Sequence, residues 1–300
     1  MPSLVQSLTE RGLIKPPNFV PTNMHYEAWI GSISYGTSTD TSDCDVLGFV
    51  IPTKEIVFPH LTGAIHNFST NIPTFNQYQQ HHIDDKEHAK QYDITVYSIV
   101  RYFYLLMQCN PNIVDSIWVP QNCIIHITKI GQMVREHRKM FLHKGVFHKM
   151  KSYSYSQLHK MTTKNPEEGS KRKELRDKYG FDVKFAMHVV RLLDECQQIL
   201  ETGELDLQRN REHLKAIRRG EVSEEEIRRW AAEKETYLEK LYETSTLPYG
   251  PDEPKIRDLL ISCLEEHYGN LDKCVVNVDA AVTALRQINE IIQRNQALLG

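Results

Sequence analysis

Two short motifs in the first fifty residues carry side chains that could act together. Gly31-Ser32 follows the apolar run at residues 28–30, and ten residues later Asp43-Cys44-Asp45 opens the apolar run at residues 46–51. A glycine turn lets a phosphate come close to the backbone, and the serine hydroxyl and free amides at such a turn attract anions. Two carboxylates two positions apart on a strand point to the same side, where they repel unless a proton or a divalent cation lies between them. Because Mg²⁺ takes oxygen ligands from carboxylates and phosphates, the two motifs predict a site for a metal-bound triphosphate.

An ordinary surface loop would account for either motif alone. Ser, Thr and Asp residues follow Gly31-Ser32, as they do in many loops, and Asp-x-Asp patterns often occur by chance. The order of the motifs, their spacing and the apolar residues beside both favour the functional interpretation. Mg²⁺ is the expected ion, and Mn²⁺ is the alternative.

The combination resembles the signature of the polymerase-β-type nucleotidyltransferase superfamily, in which a Gly-Ser turn precedes an Asp-x-Asp strand by about this distance. The chain is more specifically similar to the family of predicted nucleotidyltransferases that includes the RNA-ligase-associated members. Cys44 departs from the superfamily pattern, which usually has an aliphatic residue there, but cysteine behaves as a small hydrophobe. The similarity covers roughly residues 28–255 and includes Tyr35-Gly36-Thr37, Ser42-Asp43, Asn110-Pro111-Asn112 and residues 153–158, 188–193, 202–205, 216–220 and 245–248.

The resemblance implies a third carboxylate on a neighbouring strand. Asp93 is the best candidate, because it lies in the strand-like run at residues 91–96, just before a helical pattern. Asp43, Asp45 and Asp93 are therefore the implied catalytic and metal-binding residues. The implied nucleotide-binding residues of the Gly-Ser turn and the family-like segment after it are Gly31, Ser32, Tyr35 and Gly36.

A helix further along the chain carries two more candidates. His188 and Arg191 are three positions apart, so they share one helix face. Their apolar neighbours are typical of a structural pair at the helix edge. Their place in a family-like segment favours the other interpretation, in which both residues face the nucleotide.

The stretch at residues 144–191 is strongly basic, with twelve Lys and Arg residues against five Asp and Glu residues. Such a stretch indicates a polyanion-binding face, or a solvated basic surface that acidic helices balance elsewhere. An aromatic side chain beside basic residues can stack on a nucleobase, although core packing would also explain the tyrosines. The candidate polyanion contacts are Lys149, Lys151, Tyr155 and Gln157.

Composition limits the class of protein. The chain has 300 residues, a net charge of −3 and no run of eighteen apolar residues, so no membrane span is predicted. The N-terminal sequence lacks the pattern of a secretion signal, and the six cysteines lack metal-binding spacing. We therefore expect reduced thiols and a cytoplasmic protein.

The pattern of apolar residues predicts an α+β protein in three segments. Residues 1–25 are a loop-like N-terminal extension, residues 26–127 form the catalytic domain with a small mixed sheet, and residues 128–300 are mainly helical. The resemblance implies that the catalytic domain is a polymerase-β-like nucleotidyltransferase head. Residues 81–85, His-His-Ile-Asp-Asp, look like a metal cluster, but adjacent side chains point apart on a regular element, so a polar loop is expected there.

The main functional hypothesis is transfer of a nucleoside monophosphate from a metal-bound nucleoside triphosphate to an acceptor hydroxyl, with release of pyrophosphate. The resemblance to RNA-ligase-associated members implies an RNA end as the acceptor. Nucleotidylation of a protein or a small molecule is the first alternative. A regulatory module that binds the nucleotide without turnover and a purely structural interaction protein are the other two.

Overall fold

The structure, a computed structural model, describes residues 2–40, 42–62, 65, 74–164, 167–269 and 288. Two compact units divide the chain: residues 1–52 and 76–260 belong to the first, and residues 53–75 and 261–300 belong to the second. The first unit takes residues from all three segments expected from the sequence. The expected boundaries at residues 25 and 127 remain a prediction.

A five-stranded mixed sheet forms the centre of the first unit. Its strands are β1 (Met24–Trp29), β2 (Cys44–Val50), β3 (Gln77–Asp85), β4 (Lys90–Ser98) and β5 (Ile124–Ile127), and their order across the sheet is β3-β4-β2-β1-β5. The pair β2–β4 is parallel, and the other neighbouring pairs are antiparallel. The predicted α+β class with a small mixed sheet is confirmed.

The described residues also form eleven α-helices. They are α1 (Leu4–Glu10), α2 (Lys54–Val57), α3 (Ile99–Met107), α4 (Pro111–Trp118), α5 (Lys129–Glu136), α6 (Gly145–Thr163), α7 (Lys171–Tyr179), α8 (Val183–Thr202), α9 (Arg211–Arg218), α10 (Glu224–Thr244) and α11 (Glu253–Tyr268). None of the helices in this part of the chain is long and apolar enough to cross a membrane.

Helix α8 is the element on which the helical part of the chain packs. It contacts α6, α7, α9 and α10, and most of its side chains are buried. Gly203 ends it in a left-handed conformation, with φ +64°, as glycine does at many helix ends. Helix α10 begins with a capping box, in which Ser223 Oγ accepts from the Glu226 amide and the Glu226 carboxylate accepts from the Ser223 amide.

Two expectations from the sequence are wrong. The N-terminal extension contains α1, which Ser3 caps and which ends before the proline-rich segment that suggested a loop. Residues 81–85 belong to β3 rather than to a polar loop. Strand β3 lies at the edge of the sheet and most of its side chains are exposed, so it lacks the apolar alternation by which a strand is recognised.

The cysteines agree with the expected reduced state as far as the structure describes them. Cys44, Cys109, Cys123, Cys196 and Cys263 are free. Cys274 lies outside the described residues.

A buried carboxylate joins α1 to the sheet. Both oxygens of Glu27, on β1, accept hydrogen bonds from the first turn of α1, from the Leu4 amide at 2.7 Å and the Val5 amide at 2.9 Å. Glu27 is fully buried, and this burial raises its pKa. The carboxylate satisfies amides that no carbonyl within the helix can reach.

We predict that Glu27→Ala lowers the free energy of unfolding by about 2–4 kcal/mol, because two amides lose their acceptor in a dry environment. Urea unfolding followed by circular dichroism measures the change. Glu10→Ala removes an exposed carboxylate from the same helix and should change the free energy by less than about 0.5 kcal/mol. Equal stability of the two variants would contradict the role assigned to Glu27.

Candidate active site

Two of the three predicted carboxylates, Asp45 and Asp93, lie on neighbouring parallel strands. In the register of β2 and β4, Asp45 lies opposite Asp93. Paired strands are about 4.8 Å apart, and opposed residues of a parallel pair point to the same face of the sheet. Asp43 is exposed and lies immediately before β2, close enough to Asp45 to affect its ionisation. The structure therefore places Asp45 and Asp93 side by side with Asp43 nearby, although the carboxylate oxygens of the three residues do not all lie within 4.8 Å of one another.

The ionised form of Asp45 is unfavourable in the folded protein. Burial raises its pKa to about 6, and the nearby charges of Asp93 and Asp43 add to that rise. Lys184 and His81 act in the opposite direction. A group of carboxylate oxygens with excess negative charge is the donor set that a hard divalent cation prefers. The adjacent carboxylates of Asp45 and Asp93 are donors of this kind, and binding of Mg²⁺ or Mn²⁺ by Asp43, Asp45 and Asp93 remains a prediction.

The Gly-Ser turn (residues 31–37) lies directly against Asp45. Gly31 has φ +64°, and a Cβ atom at this position would overlap with the Asp45 carboxylate. The Ile30 amide donates to the backbone carbonyl of Asp45 at 2.9 Å, which fixes the start of the turn beside β2. A glycine is therefore required both by the backbone conformation and by the close approach of the carboxylate.

The amides of the Gly-Ser turn suit an anion. Within the described part of the chain, the amide nitrogens of Ser32, Ile33 and Ser34 donate no hydrogen bond. The carbonyls of Gly31 and Ser32, in contrast, accept from the amides of Tyr35 and Thr37. Consecutive unpaired amides after a left-handed residue form a concave anion-binding surface.

Asp93 is held by two histidines that the sequence interpretation assigned to a loop. The His82 amide donates to Asp93 Oδ1 at 2.7 Å, and His81 Nδ1 lies 3.2 Å from Asp93 Oδ2. A register shift between Gln80 and Ile83, with His82 at φ +53°, makes this contact possible. A regular count along the β3–β4 hairpin would place one residue opposite Asp93, and the register shift places both histidines there.

Helix α8 supplies positive charge to the site. Lys184 is exposed and acts electrostatically on Asp45. His188, one turn later, is half-buried, and burial together with the charges of Arg191, Lys184 and Arg172 lowers its pKa to about 3. His188 is therefore neutral at physiological pH and can donate or accept a hydrogen bond. The spacing of Lys184, His188 and Arg191 on one helix face was the signal that could have added Lys184 to the candidates.

Comparison with known proteins identifies the family of the chain. A family model described as "RNA repair pathway DNA polymerase beta family" matches residues 15–262. The chain belongs to this family. Among solved structures, the chain is similar to a nucleotidyltransferase-like protein from Exiguobacterium sibiricum 255-15, at 13% identity over 87% of this chain and 72% of that chain, with a TM-score of 0.29. A search of curated proteins found no match.

Membership in the RNA repair pathway DNA polymerase beta family confirms the resemblance stated from the sequence, and with it the polymerase-β-like nucleotidyltransferase class. The matched residues include the Gly-Ser turn, all three carboxylates and the whole of α8. The individual roles of these residues remain predictions.

Tyr35 and Arg191 disagree with the prediction that they contact the nucleotide directly. Both are buried, and the Arg191 guanidinium lies 4.6 Å from the centre of the Tyr35 ring. Arg191 Nη1 donates to Tyr35 Oη at 2.6 Å, and Tyr35 Oη donates to Asp115 Oδ2 at 2.6 Å. Arg191 also forms ion pairs with Asp115 and Glu195. The Tyr35 hydroxyl and Arg191 Nη1 are thus bonded to buried groups inside the protein.

Gly36 lies in the same part of the turn. With φ +66°, it packs against the side chains of Gln208 and Arg211, and a Cβ atom there would lie 3.4 Å from Gln208 Cδ. A direct contact of Gly36 with the nucleotide remains a prediction.

The candidate polyanion contacts on α6 differ from one another. Lys151 is bound to Glu239 at 2.7 Å and lies 4.0 Å from Glu235, both on α10, so acidic residues already neutralise its charge. A polyanion contact of Lys151 remains a prediction. Tyr155 is 69% exposed, which excludes core packing as its role. Lys149 lies over the Tyr153 ring, and for Lys149, Tyr155 and Gln157 a polyanion contact remains a prediction.

The raised pKa of Asp45 has a measurable effect on the metal-free protein. The folded state binds a proton at about pH 6, above the ordinary value of 3.8 for this carboxyl group. Between these two pH values the folded state binds more protons than the unfolded chain, so stability falls as the pH rises. The charged form of Asp45 therefore destabilises the fold at neutral and alkaline pH.

We predict that Asp45→Asn raises the free energy of unfolding of metal-free protein at pH 8 by about 1–3 kcal/mol, allowing for solvent screening of a half-exposed group. The gain should shrink as the pH is lowered and disappear below about pH 3, where the carboxyl group is protonated in both states. Urea unfolding in the presence of a chelator tests this, with Asp84→Asn on exposed β3 as the control. A gain independent of pH, or no gain at pH 8, would refute the electrostatic interpretation.

Proposed function

We propose that this protein transfers a nucleoside monophosphate from a nucleoside triphosphate to an acceptor hydroxyl, with an RNA end as the acceptor and pyrophosphate as the second product. The observation that supports the proposal most strongly is the register of Asp45 and Asp93 beside the left-handed Gly31. This geometry combines a cation site with an anion-binding turn, as a metal-bound triphosphate requires.

In the proposed reaction the acceptor oxygen forms a bond to the α-phosphorus, and the bond from that phosphorus to the bridging oxygen of pyrophosphate breaks. Asp43, Asp45 and Asp93 would hold Mg²⁺ or Mn²⁺, which when bound neutralises negative charge on the phosphates and on the acceptor oxygen. Asp93, which His81 and the His82 amide orient, either completes this cation site or takes the proton of the acceptor hydroxyl.

The rest of the site would bind the triphosphate. The unpaired amides of Ser32, Ile33 and Ser34 are suited to the terminal phosphates. Lys184 adds a positive charge close to Asp45 and would pair with the same phosphates. His188, neutral and half-buried one turn away, would donate a hydrogen bond to the nucleotide.

An RNA acceptor is supported by the description of the family and by the basic stretch at residues 144–191. Binding of an RNA through several phosphates weakens steeply with added salt. A small-molecule acceptor would show little such dependence. Protein acceptors are tested in the same assay. Label that has been transferred to a protein acceptor migrates with that protein.

We predict that Asp45→Asn and Asp93→Asn each lower the rate of nucleotidyl transfer by about 10²–10³-fold, because the charge that develops on the phosphates loses its stabilisation. Labelled nucleoside triphosphates, Mg²⁺ and RNA, DNA or protein acceptors provide the assay, with Asp84→Asn as a matched control on the same hairpin. Unchanged rates for the Asp45 and Asp93 variants would rule out this mechanism. Tight nucleotide binding without pyrophosphate release from any acceptor would instead favour a regulatory module.

We predict that Lys184→Ala raises the KM for the nucleoside triphosphate about 10-fold or more, since a charge-assisted contact to phosphate is lost. The matched control is Lys160→Ala, an exposed lysine on α6. Steady-state kinetics at constant ionic strength separates KM from kcat. An equal KM for both variants would remove Lys184 from the phosphate site.

A further inference from the structure

The carbonyl side of the Gly-Ser turn is bonded by two side chains that lie about 175 residues further along the chain. Gln208 Nε2 donates to the Ser34 carbonyl at 3.1 Å, and Arg218 Nη1 donates to the Thr37 carbonyl at 2.5 Å. Ser34 and Thr37 are themselves buried. Without Gln208 and Arg218, the buried Ser34 and Thr37 carbonyls would have no hydrogen-bond donor, because water does not reach them.

Further hydrogen bonds hold the loop that carries Gln208. The Gln208 amide donates to Asp206 Oδ1 at 2.9 Å. Gln198 on α8 holds both backbone groups of Asp206, donating to its carbonyl at 3.2 Å and accepting from its amide at 2.9 Å. The side chain of Gln208 also packs against Gly36. A chain of contacts thus leads from α8 to the turn.

The turn needs such a support because of its own composition. Gly31 and Gly36 both have left-handed backbone angles, and glycine leaves the chain free to adopt others. An anion site made of backbone amides is effective only when the amides are held in place before the anion arrives. The bonded carbonyls and the unpaired amides of Ser32, Ile33 and Ser34 lie in the same seven residues.

We propose that Gln208 and Arg218 are positioning residues for the nucleotide, which hold the Gly-Ser turn in its phosphate-binding conformation through the Ser34 and Thr37 carbonyls. The inference rests on the proposed function, since it assigns the turn to the phosphates. It makes the loop before α9 and the end of α9 a part of the nucleotide site, although neither residue needs to touch the nucleotide.

The test compares the dissociation constants of ATP, GTP, CTP and UTP with Mg²⁺, measured by calorimetry on the full chain. Gln208→Ala and Arg218→Ala should each raise the dissociation constant about 5- to 30-fold, as expected for the loss of one or two hydrogen bonds. Arg218→Lys keeps one donor and should restore part of the affinity. Arg219→Ala is the matched control, because Arg219 is the next residue, is exposed and pairs with Glu221.

A second control separates positioning from general loss of stability. Ser3→Ala removes the cap of α1 and destabilises the protein without touching the turn. Weaker nucleotide binding by the Gln208 and Arg218 variants, with affinities of Arg219→Ala and Ser3→Ala like the wild type, supports the inference. Wild-type affinity for Gln208→Ala and Arg218→Ala, or an equal loss in either control, overturns the inference alone. Failure of the wild-type protein to bind any of the nucleotides overturns the proposed function as well.

Discussion

The parallel pairing of β2 with β4 is the constraint on which the candidate site depends. It sets Asp45 opposite Asp93 on one face of the sheet, where Gly31 lies against the Asp45 carboxylate and Asp45 is partly buried. The result is a carboxylate whose charge is unfavourable in the protein alone. Two adjacent carboxylates repel each other and so destabilise the fold, but they can both bind a cation. The arrangement therefore indicates selection for binding rather than for folding. The buried strands around it, with Val46, Leu47, Ile94 and Val96 in the core, hold the carboxylates against their mutual repulsion.

The helical part of the chain contributes as much to this site as the sheet does. Helix α8 places Lys184 near the carboxylates, and Gln198 on the same helix bonds the loop that carries Gln208. If the chain is divided at residue 127, the three acidic residues fall in the first segment, whereas Lys184, Gln198 and Gln208 fall in the second. The anion-binding turn belongs to the segment before residue 127, but its carbonyls are bonded by side chains from after residue 200.

Elements with local causes follow from local sequence rules. Strand β2, the capping box of α10 and the glycine end of α8 follow from residue types a few positions apart, and so does the pairing of a Gly-Ser turn with Asp43 and Asp45. Strand β3 and its histidines were missed, because an exposed edge strand has no apolar alternation and its contact with Asp93 depends on a register shift. For Arg191, the pattern identified the helix face correctly but not its neighbour, which is Tyr35. Burial of an arginine depends on a partner distant in sequence, and helical spacing does not contain that information.

A network of polar side chains stabilises the buried Arg191. It consists of Arg191, Tyr35, Asp115 and Glu195. The Arg191 guanidinium forms ion pairs with two buried carboxylates, those of Asp115 and Glu195. Asp115 Oδ2 accepts from both Tyr35 and Arg191, whereas Glu195 has only Arg191, at 3.2 and 3.4 Å. Burial raises the pKa of both acids, and the pKa of Glu195 is raised well above its usual range. The Tyr35 hydroxyl donates to Asp115, and Tyr35 follows Gly31 by four residues, with its amide bonded to the Gly31 carbonyl. A buried arginine on α8 is thus joined, through the Tyr35 hydroxyl, to the turn beside Asp45.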